Sequence, residues 1–418
     1  MPTQTKPCQT CATPFKIASE DEAFYKRMKV PHPTSCPTCR NNTRMRWRNF
    51  NSLHNRTSDL SGKPIISMFP KESPLTVYSS EEWHGDSWNA LDYGQDIDWN
   101  KPFFEQFHNL HSRVPHASLL HYQCENSNYC NLAFNSKACY MVFGCVENED
   151  CLYGHIVWRS TDCTDGLYLY ECELCYESTD CISCYNCDYC RECRNSNDLK
   201  HCYDCVGCHF CFGCTGLRQK EYCIYNEQFT KEEYKSRLAS NKLTGNLEDR
   251  LNQLTLETIH PHYYGYQNED VSGNHIYYSK NTHHSFDAKR CEDCKFLFTA
   301  QRFNDVYDAS FCSGDCEVSY NCLSIGNCQH LICSQRCHDS SNLQYCDECT
   351  SCHDCFGCIG LKHKRHCILN KQYDRATYEN LLPRLIAHMT KTDEYGKFFP
   401  EEICPFTYEE SILSSYQQ

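Results

Sequence analysis

The sequence predicts a mainly β protein: a small zinc ribbon followed by two duplicated, narrow, cysteine-rich β-solenoids of the parallel β-helix kind, each followed by an α-helix. Three observations carry this expectation. Nineteen cysteines between Cys124 and Cys223 all fall in one phase of a three-residue register. Apart from Asn148, the other residues of that phase up to Leu217, among them Ser127, Ala133, Val142, Gly154 and Leu199, are small or apolar. A second array repeats the first: CYDCVGCHFCFGCTGLRQKEYCIYN (202–226) matches CDECTSCHDCFGCIGLKHKRHCILN (346–370) at fourteen of twenty-five positions.

The period decides the architecture. A strand repeats every two residues and an α-helix every 3.6, so neither holds such a phase. A 3₁₀ helix has the right period but rarely outlasts a turn. Polyproline II bundles need abundant Gly or Pro, which the arrays lack. What remains is a solenoid whose sides are short extended segments, each sending one residue inward, with coils stacked at about 4.8 Å. The Tyr, Asp, Asn and Glu residues between the inward sites then face solvent. Coil length stays open, because cysteines recur at twelve (139, 151, 163) and at nine (163, 172, 181, 190) residues.

Along the chain, residues 1–50 carry Cys8-x2-Cys11 and, after 24 residues, Cys36-x2-Cys39. Two such knuckles present four thiolates that close a tetrahedral site, the pattern of a zinc ribbon or treble clef with one structural Zn²⁺. Immediately after come Arg40, Arg44, Arg46, Arg48 and Arg56 around Trp47. Guanidinium groups interleaved with an aromatic can grip phosphates and stack on bases, so nucleic acid or the ribosome is one candidate partner. A solvated strand balancing an acidic body is the alternative.

Residues 51–122 form an aromatic-rich connecting region without cysteine, and Phe103, Phe104, Phe107, Leu110 and Val114 predict a helix near 101–114. The first array occupies 123–226. A helical linker, 227–284, opens on the capping-box pair Thr230 and Glu233, and Leu247, Leu251 and Leu254 suggest a second helix. The second array spans 285–370, and its register slips by one residue between Cys312 and Cys316. A C-terminal helix and tail fill 371–418, with Pro383 expected to kink or delay the helix.

The array cysteines Cys202, Cys205, Cys208, Cys211, Cys214 and Cys223, with Cys346, Cys349, Cys352, Cys355, Cys358 and Cys367, admit two readings. They are candidate metal ligands, and zinc sites bridging coils or disulfides stay open. A ferredoxin run ends C-x3-C-P, whereas every step here is x2 and no Pro follows, which weighs against iron–sulfur. Because the same phase accepts Ser, Ala, Val and Leu, the favoured reading is Cys as a small buried filler. His209 and His353 lie outside the inward phase and read as surface residues. His283 and His284 have no partner at a recognisable spacing. Asp96 and Asp98 pair as carboxylates or simply form a turn.

A net charge of −14 argues against a wholesale nucleic-acid coat. No apolar stretch of about 18 residues is present, so no membrane span is expected. The first residues lack the charged-then-apolar pattern of a secretory signal, which points to a reducing cytoplasm. No HExxH, GxSxG, phosphate-loop or GxGxxG signature occurs. The expectation is therefore a non-enzymatic zinc-binding scaffold with a protein partner of unknown identity. The alternatives are a nucleic-acid- or ribosome-associated factor and a metal-storage or redox protein using the arrays. Oligomeric state is not indicated.

Residues 6–48, through CQTCATPFKI, EDEAFYKR and SCPTCR, resemble the "probable zinc-ribbon" domain of bacterial proteins. RWRNFNSL, SGKPIISM, DWNKPFFEQF, CFGCTGLRQKEYCIYN and YGKFFPEEICPFTYEE extend the likeness nearly end to end. The chain is similar to a family of uncharacterised cysteine-rich proteins of candidate-phyla (Patescibacteria) bacteria. The resemblance implies a cytoplasmic metal-binding protein and says little of activity. The likeness stops after Tyr408, which implies a further C-terminal element in the family pattern.

Overall fold

The computed structural model describes residues 4–155, 157, 159–164, 190–240, 243, 246–280, 285–286, 288–292, 300–304, 307–312, 316–317, 320–325, 332, 336–338 and 341–416. Its dominant feature is the expected β-solenoid, about fourteen turns in all. Parallel pairing fixes the coil at twelve residues: His121↔Ala133↔Cys145 at the start of the first stack, and Leu199↔Cys211↔Cys223 at its end. The nine-residue spacing is the distance from one side of a coil to a different side of the next. A twelve-residue coil with one inward residue in three has four sides.

The second stack follows the same rule, with Leu343↔Cys355↔Cys367 in register. Two coils depart from it. Phe303 pairs with Cys316 and Phe311 with Ser324, thirteen residues on, so the register slip is absorbed as one extra residue in a coil. Gly265 pairs with Ile276, eleven residues on. This stack therefore begins about twenty residues before the expected start at 285. No cysteine marks that first coil, and Ile276 and Ser279 are buried there instead.

One backbone feature was not read from the sequence. The residue before most inward positions takes a left-handed conformation at a regular spacing: Asn126, Asn135, Ala138, Met141, Glu147, Asp150 and Tyr153 all have φ between 51° and 57°. The same phase holds in the second half of the stack at Asp198, His201, Asp204, Phe210 and Gln219. Each such residue turns the chain through a corner. Asn, Asp and Gly accept this conformation most readily, and a bulky residue there is strained by about 1–2 kcal/mol.

Each stack ends alike. Cys223↔Gln228 and Cys367↔Gln372 pair antiparallel, so a short hairpin covers the last edge. Asn226 and Asn370 bracket the backbone eleven residues earlier, accepting from the N–H and donating to the carbonyl of Thr215 and Ile359 respectively at 2.8–2.9 Å, and Asn370 also donates to Ala90 O. A helix follows each hairpin, α5 (Lys231–Ala239) and α7 (Arg375–Lys391), burying Tyr234 and Tyr378. Helix α6 (Leu247–Glu257) completes the linker. Helix α7 starts at Arg375 and continues through Pro383 to Lys391, so the helix is not delayed there, with Tyr378 before it and Leu385 and Met389 after it held in the core.

Earlier in the chain, strands β1 (Gln4–Pro7) and β2 (Pro14–Ile17) form an antiparallel hairpin, followed by helices α1 (Ser19–Met28) and α2 (Pro37–Arg46). Helix α3 (Ser80–His84) precedes α4 (Phe103–Arg113), the helix expected near 101–114. The chain closes with α8 (Ile412–Tyr416).

The connecting region is mortar. Phe103, Phe107 and Leu110 are fully buried in one core with Trp47, Tyr345, Phe356, Leu385 and Phe399. That core joins the N-terminal unit, α4, the second stack and the C-terminal segment. Burying one such aromatic contributes about 1.5–3 kcal/mol. The fit is close: a Cβ added at Gly357 would stand 2.8 Å from the Phe103 ring.

Candidate metal centre

The four N-terminal cysteines are brought together by two local structures. Cys8 directly follows strand β1 and starts a tight knuckle, in which Cys8 N–H donates to Thr13 O and Ala12, with φ 61°, donates back to Cys8 O. Cys36 caps α2, with Pro37 at the first helical position, and Cys39 lies in its first turn. Gln9 N–H donates to Thr34 O, tying the knuckle to the helix start.

As a result the Sγ atoms of Cys8, Cys11, Cys36 and Cys39 all lie within 4.8 Å of one another, and four thiols so placed could hold a metal ion. The Cys11 and Cys36 sulfurs are 3.8 Å apart. Cys36 N–H points at Cys8 Sγ over 3.2 Å. Burial acts to raise the Cys8 thiol, but backbone N–H groups of Cys11, Cys36 and Thr10 overcome it and bring it down to about 6. Burial and the neighbouring sulfurs push Cys39 far up, and burial raises Cys36. Gathered sulfurs cannot all ionise unaided; a cation among them removes that conflict.

The arginines that follow do not face solvent. Arg40, Arg44, Trp47, Arg48 and Arg56 are buried, and only Arg46 is half-buried. Arg40 grips Asp308 of the second stack with two bonds, Nε–Oδ2 at 2.8 Å and Nη2–Oδ1 at 3.0 Å. Arg44 Nε donates to Ser310 Oγ and its Nη1 to Asn321 Oδ1. Trp47 Nε1 donates to Phe399 O. Arg56 donates to Pro70 O, Leu75 O and Asp59. The expectation of an exposed basic segment is thus corrected: the charges serve contacts within the chain. Interleaved Arg and Trp look alike in sequence whether they meet phosphate or a distant Asp. Asp308, Ser310 and Asn321 carried no local signal of this role.

The array cysteines are all buried: Cys202, Cys205, Cys208, Cys211, Cys214, Cys223 and Cys346, Cys349, Cys352, Cys355, Cys358, Cys367. Among the described residues they form no converging metal-ligating group comparable to the N-terminal one, and no disulfide joins them. Their thiols instead meet backbone carbonyls. Cys205 Sγ lies 3.5 Å from Tyr203 O and 3.6 Å from Cys214 O; Cys349 Sγ lies 3.5 Å from Asp347 O and 3.4 Å from Cys358 O. Burial pushes Cys223 up to about 11 and raises Cys202 and Cys349. Hydrogen bonds from neighbouring thiols act the other way, against burial, lowering Cys214 and Cys346 to about 5, Cys352 to about 3 and Cys205 further still; only the raised thiols are neutral and poorly nucleophilic near pH 7.

His209 and His353 are exposed, as expected. His283 and His284 lie outside the described residues. Asp98 accepts from Asn100 N–H in a turn, and Asp96 meets Lys371, so the two carboxylates act separately. No helix among the described residues is long and apolar enough to cross a membrane. Comparison with family models, with curated proteins and with solved structures finds no match to this chain.

Proposed function

We propose that the chain is a non-enzymatic scaffold whose N-terminal unit is a zinc ribbon acting as a structural clamp. One observation carries this reading: the four-cysteine cluster sits at the head of α2, the helix that inserts Arg40 and Arg44 against the second stack. An ion there fixes the start of α2 and so the register of every contact along it. Zn–S bonds of about 2.3 Å in a tetrahedron put sulfurs about 3.8 Å apart, and the Cys11–Cys36 separation of 3.8 Å supports that fit. Four thiolates leave no position for substrate, which favours a structural ion. Unoxidised buried thiols favour a reducing compartment such as the cytoplasm. The exposed solenoid sides then form the partner surface.

The test is metal content with a thiol count on anaerobically purified protein. We expect one zinc per chain. The cysteines outside the cluster, 38 less 4, should all titrate as thiols after denaturation. Cys36→Ser/Cys39→Ser should lose the metal and lower the unfolding midpoint. Three or more metals per chain would replace this reading with metal storage in the arrays.

A further inference from the structure

One side of the first stack carries an exposed aromatic strip over three successive coils. The bridges Glu125↔Lys137↔Glu149 and Tyr140↔Leu152 set the register. They place Tyr129, Met141 and Tyr153 in one corner column, with Tyr140 and Leu152 beside it. All five are exposed, Tyr153 by 52% and Tyr129 by 43%. The rings touch in sequence, Tyr129–Tyr140 at 5.2 Å and Tyr140–Tyr153 at 5.7 Å between centroids, the second pair edge to face. Single exposed apolar residues need no explanation, but a continuous strip on a rigid surface marks a contact site. The next side round the coil is covered, because Phe143 and His155 pack against Phe50. Among the described residues the ring contacts of the strip are with one another.

Two features specify the occupant. The first is spacing. Tyr129 and Tyr153 stand two coils apart in one column, which is about 9.6 Å along the solenoid axis. A polyproline II helix advances about 3.1 Å per residue and returns to the same face every three residues, about 9.3 Å. A ligand strand repeats at about 6.8 Å and an α-helix at about 5.4 Å, and neither matches. The second is charge. The flanking side carries Glu125, Glu149, Asp150 and Asp162, all exposed, against Lys137 alone. Tyrosine ridges offer flat, apolar walls to proline rings, and the carboxylates beside them favour a cation.

We propose that this side binds a proline-rich segment in the polyproline II conformation. Prolines at i and i+3 lie against Tyr129 and Tyr153, and a basic residue between them, on the neighbouring face of the helix, meets Asp150 and Asp162. The inference rests on the scaffold reading and supplies the chemistry of the partner. Such helices arrive already ordered, so little conformational entropy is lost on docking.

The experiment is fluorescence anisotropy of the full chain with a labelled (Pro-Pro-Arg)₄ peptide. The control peptides are (Gly-Ser-Arg)₄, of equal charge, and (Pro-Pro-Glu)₄. We expect (Pro-Pro-Arg)₄ to bind, (Gly-Ser-Arg)₄ to bind at least about tenfold more weakly, and (Pro-Pro-Glu)₄ not to bind. Tyr129→Ala/Tyr153→Ala should weaken binding about tenfold or more with circular dichroism unchanged, and Asp150→Asn/Asp162→Asn should weaken it in a salt-dependent way. Equal binding of the Gly-Ser peptide, or indifference to the tyrosine pair, overturns the inference in favour of plain charge attraction. Absence of binding at millimolar peptide overturns it outright. Either failure leaves the scaffold reading standing, since that reading is decided by the zinc and thiol counts.

Discussion

At the scale of single residues, the inward position selects for more than small size. Its side chain faces a carbonyl two residues back and, in the next coil, an N–H twelve residues on. Ser127 Oγ donates to Glu125 O and accepts from Cys139 N–H at 3.1 Å. Ser196 does the same for Arg194 O and Cys208 N–H. Cys130 and Cys358 receive Val142 and Asn370 N–H at 3.5 Å. Even Asn148, the polar exception in the phase, fits: its amide donates to Val157 O and its carbonyl accepts from Ser160 N–H. Cysteine combines apolar bulk with a weak donor and acceptor, which suits a narrow core whose walls are backbone. A concrete outcome follows. Cys205→Ser should keep the fold and change stability by about 1 kcal/mol or less, since the hydroxyl can take over both contacts. Cys205→Leu should cost about 1–3 kcal/mol by overpacking a site already at zero exposure. Urea unfolding of the two variants checks the order. If Ser proves the more damaging change, the cysteine is there for its sulfur chemistry.

At the scale of elements, helix α2 is the joint of the molecule. Its N-terminus is built from two of the four clustered cysteines, and its middle carries the Arg40–Asp308 pair, both partners almost fully buried. Burial opposes the charged guanidinium, yet the Asp308 carboxylate beside it raises Arg40 above its ordinary range. A buried pair of this kind adds modest net stability while intact, but removing one partner strands the other charge. Asp308→Ala should therefore destabilise the chain by about 3–5 kcal/mol. Arg40→Met together with Asp308→Leu should recover most of that loss, because it removes both charges and keeps the volume. Thermal or urea unfolding of the single and double variants makes the comparison. A double variant as unstable as the single one would show that the pair also sets the geometry of docking.

At the scale of the whole molecule, the solenoid was legible because a period of three is incompatible with the common elements, and the metal cluster because paired CxxC knuckles have few other uses. The coil length was not legible, since Cys alone does not say on which of four sides it lies. The corners escaped notice because Asn, Asp and Gly fill only part of the left-handed phase, and residues such as Tyr153, Met141 and Phe210 interrupt the pattern. The burial of Arg40 depended on Asp308, about 270 residues away, and nothing local could give it. These long-range contacts divide the chain unequally. The second stack shares its core with α2, α4 and α7. The body of the first stack has a separate core of stacked cysteines. It meets the second through Arg194 over Tyr264 and Tyr277, Glu192 with His275, and Tyr203 with Tyr264. Helix α2 also touches the start of the first stack, where Met45 packs with Phe50 and Phe143, so metal removal should be felt in the second stack and at that start but not at the far end of the first. In hydrogen exchange with and without a zinc chelator, Ser341–Gln344 and His353–Phe356 should lose protection as α2 loosens. The first-stack strands Asn197–Lys200, His209–Phe212 and Glu221–Ile224 should keep theirs, because the cysteine core beneath them is separate from the core that the second stack shares with the N-terminal unit. Equal loss in both stacks would mean that the molecule unfolds as one cooperative unit and that the cysteine ladders do not stand without the clamp.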